Sequence, residues 1–268
     1  MPLVVCPTPI GNLEDVTLRV LRELGEADVV LCEDTRRTRT LLRRHGVKAD
    51  LLSYHRHNEA SRGAEVLPRL QAGERIALAS DAGLPALNDP GARLIAAALE
   101  RGVDVLVLPG PSAIETALVA SGLVGERYAF AGYIPREAEA RARLWAETDR
   151  WGWPVVAFES PRRLPSSLAS LAAASPERPV AVCRELTKRF EEVVRGQARD
   201  VAARFREAPK GEVTVVLGPT GFREDEQSEG AVAVVAELVE AGLPRRRAAD
   251  VVSRLTGLPR NRLYRGSL

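Results

Sequence analysis

Residues 76–91 read Ile-Ala-Leu-Ala-Ser-Asp-Ala-Gly-Leu-Pro-Ala-Leu-Asn-Asp-Pro-Gly, and this stretch decides the fold. An apolar run at 76–79 ends at Ser80 and Asp81, and the glycines and prolines beyond it keep the backbone out of a helix for about a dozen residues. The pattern predicts a buried strand that feeds a long, rigid loop. In open α/β sheets such loops form the ligand crevice at the carboxyl ends of the strands, so we expect chemistry here.

The same unit recurs through the first half of the chain. Apolar runs lie at residues 3–6, 29–32, 51–52, 76–79 and 103–108, and each leads through a loop into residues with helical spacing. Asp15 is the predicted N-cap of the first helix. Strands that alternate with helices indicate right-handed crossovers and a largely parallel sheet. Residues 1–121 are therefore predicted to form an N-terminal parallel α/β domain.

Residues 122–218 show a different pattern, and we place the domain boundary at 122–125. Strands are predicted at 128–133, 155–159, 180–184, 193–194 and 213–217, and helices near 137–149, 162–174 and 198–206. A mostly polar link joins the strands near 180 and 193, which favours antiparallel pairing and a mixed sheet. We expect a C-terminal mixed α/β domain.

The end of the chain is predicted to be a small helical appendage over residues 230–268. Residues 219–230 are rich in charge and glycine and are predicted to be a linker. Helices are expected at 231–241, at 245–256 and from 260, separated by Gly-Leu-Pro turns, which is helix-turn-helix spacing. The residues available for a small core are Ala248, Val251, Val252, Leu255 and Leu258.

Basic charge is concentrated in this appendage. The whole chain has a net charge of +2, but residues 245–268 contain seven arginines and one acid, which gives +6 there and −4 for the remainder. A solvated helix face usually interleaves acids with bases, so this imbalance indicates a segment that contacts a polyanion.

Composition excludes several classes of protein. Hydrophobic residues make up 45% and charged residues 28% of the 268 residues, a balance typical of globular proteins. No apolar run approaches the roughly 18 residues of a membrane span, and the amino terminus has no secretion signal, so we expect a cytoplasmic protein. Cys6, Cys32 and Cys183 lie far apart in apolar runs, which favours reduced core residues over disulfides or a zinc site, and we expect no metal.

The sequence contains neither of the common nucleotide-binding fingerprints. Prolines at 7 and 9 follow the first strand, where a glycine-rich loop would be needed, and they remove the backbone N–H groups that a pyrophosphate requires. No serine elbow or Cys-His pair provides a covalent nucleophile. Direct group transfer is the simpler expectation.

Eight ordered motifs together resemble one family, that of ribosomal RNA small-subunit methyltransferase I, within the tetrapyrrole methylase superfamily. The motifs are Thr8-Pro9-Ile10-Gly11-Asn12-Leu13, Glu33-Asp34-Thr35-Arg36, His57-Asn58-Glu59, Ser80-Asp81-Ala82-Gly83 with Asn88-Asp89-Pro90-Gly91, Pro109-Gly110-Pro111-Ser112-Ala113, Phe158-Glu159-Ser160-Pro161, Arg184-Glu185-Leu186-Thr187-Lys188 and Gly211-Glu212-Val213-Thr214. The resemblance spans essentially the whole chain. It implies a two-domain class III S-adenosylmethionine fold, a homodimer, and 2′-O-methylation of a cytidine in the decoding region of 16S ribosomal RNA, with the small ribosomal subunit as partner.

The resemblance also implies a set of site residues. S-adenosylmethionine is expected between the two domains, against Pro9, Ile10, Asp81, Ala82, Gly83, Leu84, Ser112, Ala113, Val213 and Thr214. A ribose hydroxyl is weakly acidic, so a base or a cation nearby would help it react. The candidates for that role are Glu33, Asp34, Glu185 and Lys188, although Glu185 and Lys188 also fit a surface ion pair. The candidates for RNA binding are Arg36, Arg39, Arg43, Arg245, Arg246, Arg247, Arg260 and Arg262.

Two positions depart from the family pattern, and two other functions stay open. Leu84 stands where the family usually has threonine, and Arg162 where it usually has histidine, so a hydroxyl contact at 84 and an essential base at 162 are not expected. A corrin-precursor methylase of the same superfamily would need no arginine-rich tail. A non-catalytic RNA-binding adaptor would keep the tail but bind no cofactor, and the tail itself could instead pack for stability.

Overall fold

The computed structural model describes residues 2–220 and 224–267 of the protein, and the chain forms two compact units. The first unit contains the residues up to Trp145 together with Trp153–Gly218, and the second contains Ala146–Gly152 with Pro219–Leu268. Two five-stranded sheets lie in the first unit.

The first sheet is parallel, with the strand order β3-β2-β4-β1-β5. Its strands are β1 Leu3–Cys6, β2 Val29–Cys32, β3 Leu51–Ser53, β4 Ile76–Ala79 and β5 Val105–Val107. In register, Val5 pairs with Leu78 on one side and with Val107 on the other. The parallel α/β fold predicted for this part of the chain is confirmed.

Helices cover both faces of this sheet. They are α1 Leu18–Glu26, α2 Thr35–Arg44, α3 Glu59–Gln71 and α4 Ala92–Glu100. Because successive strand residues point to opposite faces, Leu31 and Leu78 pack against α3 and α4, while Val30 and Ala77 pack against α1 and α2. Each fully buried aliphatic side chain of this kind contributes about 1.5–3 kcal/mol. Strands buried on both faces explain the continuous apolar runs of the sequence.

The second sheet is mixed, as expected, with the order β6-β7-β10-β8-β9. Its strands are β6 Ala129–Tyr133, β7 Val155–Glu159, β8 Pro179–Arg184, β9 Glu192–Gln197 and β10 Val213–Leu217. Only β6 and β7 are parallel neighbours among them; β10 runs antiparallel to both β7 and β8, and β8 to β9. The helices in this part are α6 Ala138–Asp149, α7 Leu164–Ala174 and α8 Ala198–Arg204.

The helix α5, Ala113–Ser121, follows the first sheet but packs on the second. Its Ile114, Ala117 and Leu118 form one buried cluster with Val156 and Val216 of the second sheet. The loop after β5 therefore connects the two sheets directly. The predicted division of residues 1–218 into two domains stays a prediction.

The second unit carries the helices α9 Glu224–Glu240, α10 Arg245–Thr256 and α11 Arg260–Gly266. The predicted linker over 219–230 is wrong for its second part, because α9 already begins at Glu224, and residues 221–223 lie outside the described residues. The predicted core is wrong at Leu255, which is 81% exposed. The buried residues are Ala231, Val235, Ala248, Ala249, Val252 and Leu263.

The predicted cap of the first helix is also corrected. Residues 13–15 form a short 3₁₀ helix, and α1 begins only after Thr17, whose hydroxyl accepts from the Val20 N–H at 3.1 Å. The predicted cap, Asp15, is wrong because that residue belongs to the 3₁₀ turn, which delays the start of α1. The three cysteines are buried free thiols, as expected. In the described part of the chain, no helix has the length and apolar character needed to cross a membrane.

Candidate active site

The site lies at the carboxyl ends of β1 and β4, the two adjacent central strands whose connections leave in opposite directions. The loops that follow these strands are joined by two backbone hydrogen bonds, from the Thr8 N–H to the Gly83 carbonyl and from the Gly83 N–H to the Thr8 carbonyl, both 2.9 Å. The Thr8 hydroxyl donates to the Ser80 carbonyl at 2.9 Å, and the Ser80 hydroxyl donates to the Gly83 carbonyl at 2.6 Å. The start of the long loop is therefore fixed.

The far end of this loop is held by Glu59. Its Oε1 accepts from the Gly91 N–H at 3.0 Å and from the Tyr54 hydroxyl at 3.2 Å. Burial and the neighbouring Glu59 charge raise the pKa of Tyr54, so its proton stays in the bond. Gly91 has φ of 132°, and a Cβ there would lie 2.7 Å from the Leu78 side chain. The motif around Glu59 thus has a positioning role.

Two adjoining cavities lie at this site, and the larger of the two, of about 550 Å³, lies between this loop and the second sheet. Its walls include all the predicted cofactor-binding residues except Pro9, namely Ile10, Asp81, Ala82, Gly83, Leu84, Ser112, Ala113, Val213 and Thr214. Pro9 lines a smaller cavity next to it. The tertiary structure therefore brings together residues from four separate parts of the sequence.

The cavity also contains residues that the prediction of the site left out. Asp89 lies in its wall beside Tyr133 and Phe158, whose rings pack edge to face with centroids 5.5 Å apart. Burial, together with the charges of Glu33 and Asp81, raises the pKa of Asp89 to about 6. The sequence feature that could have identified Asp89 as a site residue is its position in the Asn-Asp-Pro-Gly motif of the loop.

The smaller cavity, of about 300 Å³, lies between the loop after β1 and the helix α2. It shares Ile10, Arg37, Asp81, Ala82 and Glu212 with the larger cavity. Its other walls include Gly11, Leu13, Thr38, Thr40, Leu41 and Lys188. Two cavities with a common wall can hold two reactants next to each other.

Lys188 reaches the smaller cavity through a network of acids. Its ammonium donates to Glu185 at 2.9 Å and to Glu212 at 3.0 Å. Burial opposes this charge, but the two hydrogen bonds outweigh it and raise the pKa of Lys188. The Glu212 N–H and Lys188 lower the pKa of Glu185. Lys188 is therefore a fixed cation, and Glu185, which lines neither cavity, holds it in place.

Two glycines permit this network. A Cβ on Gly11 would lie 2.5 Å from Lys188 Cγ and 2.7 Å from the Leu186 carbonyl, and one on Gly211 would lie 2.4 Å from Glu185 Cδ. Real Cβ atoms do not approach other atoms so closely. The Leu186 carbonyl leaves no room for a side chain at position 11, and Gly211 has φ of 96°, a conformation that favours glycine.

Glu33 and Asp34 lie outside the walls of both cavities. Glu33 is exposed after β2. Asp34 caps α2, and hydrogen bonds from the Arg36 side chain, at 3.1 and 2.9 Å, lower the pKa of Asp34 to about 2. Its backbone N–H donates to Asp81 at 2.9 Å, so this segment supports the long loop.

The predicted RNA-binding arginines lie on two units. Arg36, Arg39 and Arg43 are exposed on α2. In the second unit, Arg246, Arg247, Arg260 and Arg262 are exposed, while Arg245 is half-buried and donates to the Ser267 carbonyl. Arg260 pairs with Asp250 at 3.2 Å. Several of these arginines therefore have structural contacts in addition to any role with a ligand.

Comparison with known proteins gives two family matches. Residues 2–202 match the family described as tetrapyrrole (corrin/porphyrin) methylases, and residues 224–266 match the RsmI C-terminal HTH domain.

Curated relatives match nearly the whole chain. A Mesorhizobium japonicum protein named ribosomal RNA small subunit methyltransferase I is 41% identical over 266 residues, which cover 98% of this chain and 90% of that protein. A Thermotoga maritima protein of the same name is 41% identical over 216 residues, which cover 80% of this chain and 97% of that protein. About a fifth of this chain therefore has no counterpart in the Thermotoga maritima protein.

Solved structures share the fold. Uroporphyrin-III C-methyltransferase from Thermus thermophilus, complexed with S-adenosylhomocysteine, superimposes with a TM-score of 0.57 at 18% identity and covers 81% of this chain and 97% of its own. At this level of identity the likeness concerns the fold alone.

The raised pKa of Asp89 predicts a defined pH dependence of stability. The folded protein holds this proton more tightly than the unfolded chain, so Asp89 disfavours folding once the pH rises from about 4 through about 6. An Asp89→Asn variant should match the parent near pH 4 and become the more stable of the two above pH 6. Thermal unfolding of the ligand-free proteins between pH 4 and 8 measures this difference, and a difference that does not vary with pH would contradict the assignment.

Proposed function

The chain belongs to the ribosomal RNA small subunit methyltransferase I family of tetrapyrrole methylases, and from that premise we propose that it methylates the 2′-hydroxyl of a cytidine in the decoding region of 16S ribosomal RNA, with S-adenosylmethionine as the methyl donor. The observation that carries the proposal is the pair of cavities with a common wall, one lined by the expected cofactor residues and the other by a fixed lysine.

The larger cavity fits S-adenosylmethionine. Ile10, Leu84 and Ile114 provide apolar surface, and α5 presents its amino-terminal backbone N–H groups at Ala113, as a ligand carboxylate requires. Carboxylates at Asp81, Asp89 and Glu212 line the same space, and a cationic ligand relieves their mutual repulsion. When bound, the cofactor supplies a methyl group on a positively charged sulfur, which a hydroxyl oxygen can attack directly.

The protein's own contribution is alignment and charge. Holding two reactants in attack geometry is worth roughly 7–11 kcal/mol of barrier. Lys188 provides the charge. A fixed ammonium beside a ribose hydroxyl lowers the pKa of that hydroxyl, so that the hydroxyl loses its proton to water more readily, and the ammonium stabilises the alkoxide that forms. Glu185 acts as a positioning residue for Lys188, since it contacts the lysine and lines neither cavity.

The corrin-precursor alternative has weaker support. The solved tetrapyrrole methylase compared above is only 18% identical and supports the fold alone, whereas the relatives at 41% identity carry the ribosomal RNA name. The match of residues 224–266 to the C-terminal helix-turn-helix family favours the same reading.

Gly83 allows a test of the cofactor assignment. With φ of 77°, a Cβ there would meet only ordinary contacts at 3.7 Å or more, so the cost of Gly83→Ala is backbone strain of about 1–2 kcal/mol and not crowding. That strain falls on the Thr8–Gly83 pairing. We expect weaker binding of S-adenosylhomocysteine in calorimetry.

Gly73→Ala is the matched control, because Gly73 has φ of 93°, has open space around it, and lies at the opposite end of the sheet, just before β4. The Gly73→Ala variant should lose about as much stability as Gly83→Ala and keep the parent's affinity for the cofactor. Equal affinity in both variants would show that the larger cavity is not the cofactor site.

Methylation of small ribosomal subunits from a strain that lacks this protein tests the reaction itself. The parent should transfer labelled methyl to one cytidine ribose and none to a tetrapyrrole. Lys188→Met should reduce the rate at neutral pH by roughly 10²–10³-fold. The difference in rate between the variant and the parent should become smaller as the pH rises, because hydroxide then removes the proton from the ribose hydroxyl. Lys48→Met, at an exposed position outside both cavities, is the control. A Lys188→Met enzyme with the parent's pH profile would remove the lysine from the mechanism.

The arginine-rich second unit is proposed to bind the RNA backbone. Residues 245–268 of this unit contain seven arginines and one acid, and phosphates relieve the repulsion between the arginines. Replacing Arg246 and Arg247 with glutamine should weaken RNA binding and reduce the slope of log affinity against log salt by about 0.7–0.9 for each lost contact. Cofactor affinity should stay the same. The control replaces Arg127 and Arg206, which are exposed in the first unit. An unchanged salt slope would favour a purely structural role for the second unit.

A homodimer and a cytoplasmic location complete the proposal. Val107 on the edge strand β5 and Val119 on α5 expose 53% and 69% of their surface, and a partner that covers them would bury apolar area. Sedimentation at micromolar concentration should give a dimer mass, and a fully active monomer would contradict it.

A further inference from the structure

We propose that the smaller cavity is the pocket for the target nucleoside, extruded from the RNA so that its ribose faces the wall shared with the cofactor cavity. This inference rests on the proposed function and deepens it, because it names the part of the substrate that enters the protein and the surface that receives it.

The position of the cavity is the first argument. A methyl transfer requires the attacking oxygen within about 3–3.5 Å of the methyl group, so the two reactants must meet at a common boundary. Ile10, Asp81, Ala82 and Glu212 form such a boundary, since each lines both cavities. A molecule held in the smaller cavity is therefore adjacent to one held in the larger.

The size and walls of the cavity indicate what it holds. A volume of about 300 Å³ is at the lower end for small-molecule sites, and no duplex fits into it. Leu13 and Leu41 are apolar, and the Thr38 and Thr40 hydroxyls have oxygens that can accept from the exocyclic amine of a base. The planar guanidinium of Arg37 offers a surface on which a base can stack. One unstacked nucleoside matches these features.

The orientation of Lys188 is the second argument. Glu185 and Thr187, on either side of Leu186, have φ of 52° and 63°, a conformation that costs energy in residues other than glycine. Hydrogen bonds hold it: the Asn12 N–H donates to the Thr187 hydroxyl at 3.0 Å, and the Glu185 N–H donates to the Glu212 carbonyl at 3.0 Å. This strained, well-anchored segment places Lys188 in the wall of the smaller cavity.

The outer surface of α2 suits the flanking strand. Residues 37, 38, 40 and 41 line the cavity, while Arg36, Arg39 and Arg43 on the same helix are exposed. Phosphates on either side of an extruded nucleotide would meet these cations as the base enters. Enzymes that modify a nucleotide within structured nucleic acid commonly remove it from the stack in this way.

The test fills the pocket from α2 without touching the cofactor cavity. Thr40 is exposed at the pocket wall and lines only the smaller cavity, so Thr40→Leu and Thr40→Trp should fill it in two steps. We expect methylation of small subunits to fall in proportion to side-chain volume, by about 100-fold or more for tryptophan, with unchanged affinity for S-adenosylhomocysteine. Gln71→Trp, exposed at the end of α3 just before β4, should match the parent in both measurements.

Three outcomes would overturn the pocket assignment. Thr40→Trp could methylate subunits at the parent rate, which would show that the nucleoside binds elsewhere. A folded Thr40→Trp protein could lose S-adenosylhomocysteine binding, which would make the smaller cavity part of the cofactor site. A parent that transfers no methyl to subunits would overturn the proposed function, and the nucleoside assignment with it. Retained cofactor binding confirms that a variant is folded, so loss of methylation alone supports the pocket.

Discussion

Two backbone hydrogen bonds between Thr8 and Gly83 connect the loops that leave the central strands, and the geometry of both cavities depends on them. The parallel sheet delivers these two loops to the same edge, but it leaves their direction open. The reciprocal pairing, with the Ser80 and Thr8 hydroxyls beneath it, fixes both loops as one surface. Ile10 on one side and Ala82 on the other then form the wall between the cavities.

The second sheet contributes to the site through the loop that follows β8. Its contribution is a strained segment at the end of β8, where Glu185, Thr187 and Lys188 are held by close approach to the backbone at Gly11 and Gly211. Residues in unfavourable conformations persist only where surrounding bonds over-determine them, and they concentrate at functional sites. The site thus combines a hydrogen-bonded loop pair from one sheet with a strained hairpin loop from the other, and the loop after β4 has positive φ of its own at Ala86 and Asn88.

Charge is unevenly distributed within each unit. The cavities of the first unit are lined by several carboxylates, and Lys188 in the wall of the smaller cavity is held by two acids. In the second unit, residues 245–268, which include α10 and α11, carry seven arginines and one acid.

Much of the fold could be read from the sequence. Local sequence patterns were sufficient for this prediction, because strands buried on both faces appear as continuous apolar runs, and glycine and proline mark the loops between them. Errors arose where a short 3₁₀ turn preceded the helix, as at Asp15, or where a periodic apolar residue faced solvent, as at Leu255. Helix periodicity gives the direction of a side chain around the helix axis. It does not say whether a neighbouring helix is long enough to cover that side chain.

The loops that line the two cavities were identifiable from the sequence alone, because the residue types that interrupt helices, and the carboxylates beside them, are visible along the chain. Which side chains reach those cavities became clear only from the tertiary structure. It separated Lys188, which reaches a cavity, from Glu33 and Asp34, which do not, and it added Asp89 and the second cavity. The physical reason is that burial, pKa and cavity walls arise from residues far apart in sequence, whose distances are set by sheet order and by the few hydrogen bonds that join the loops.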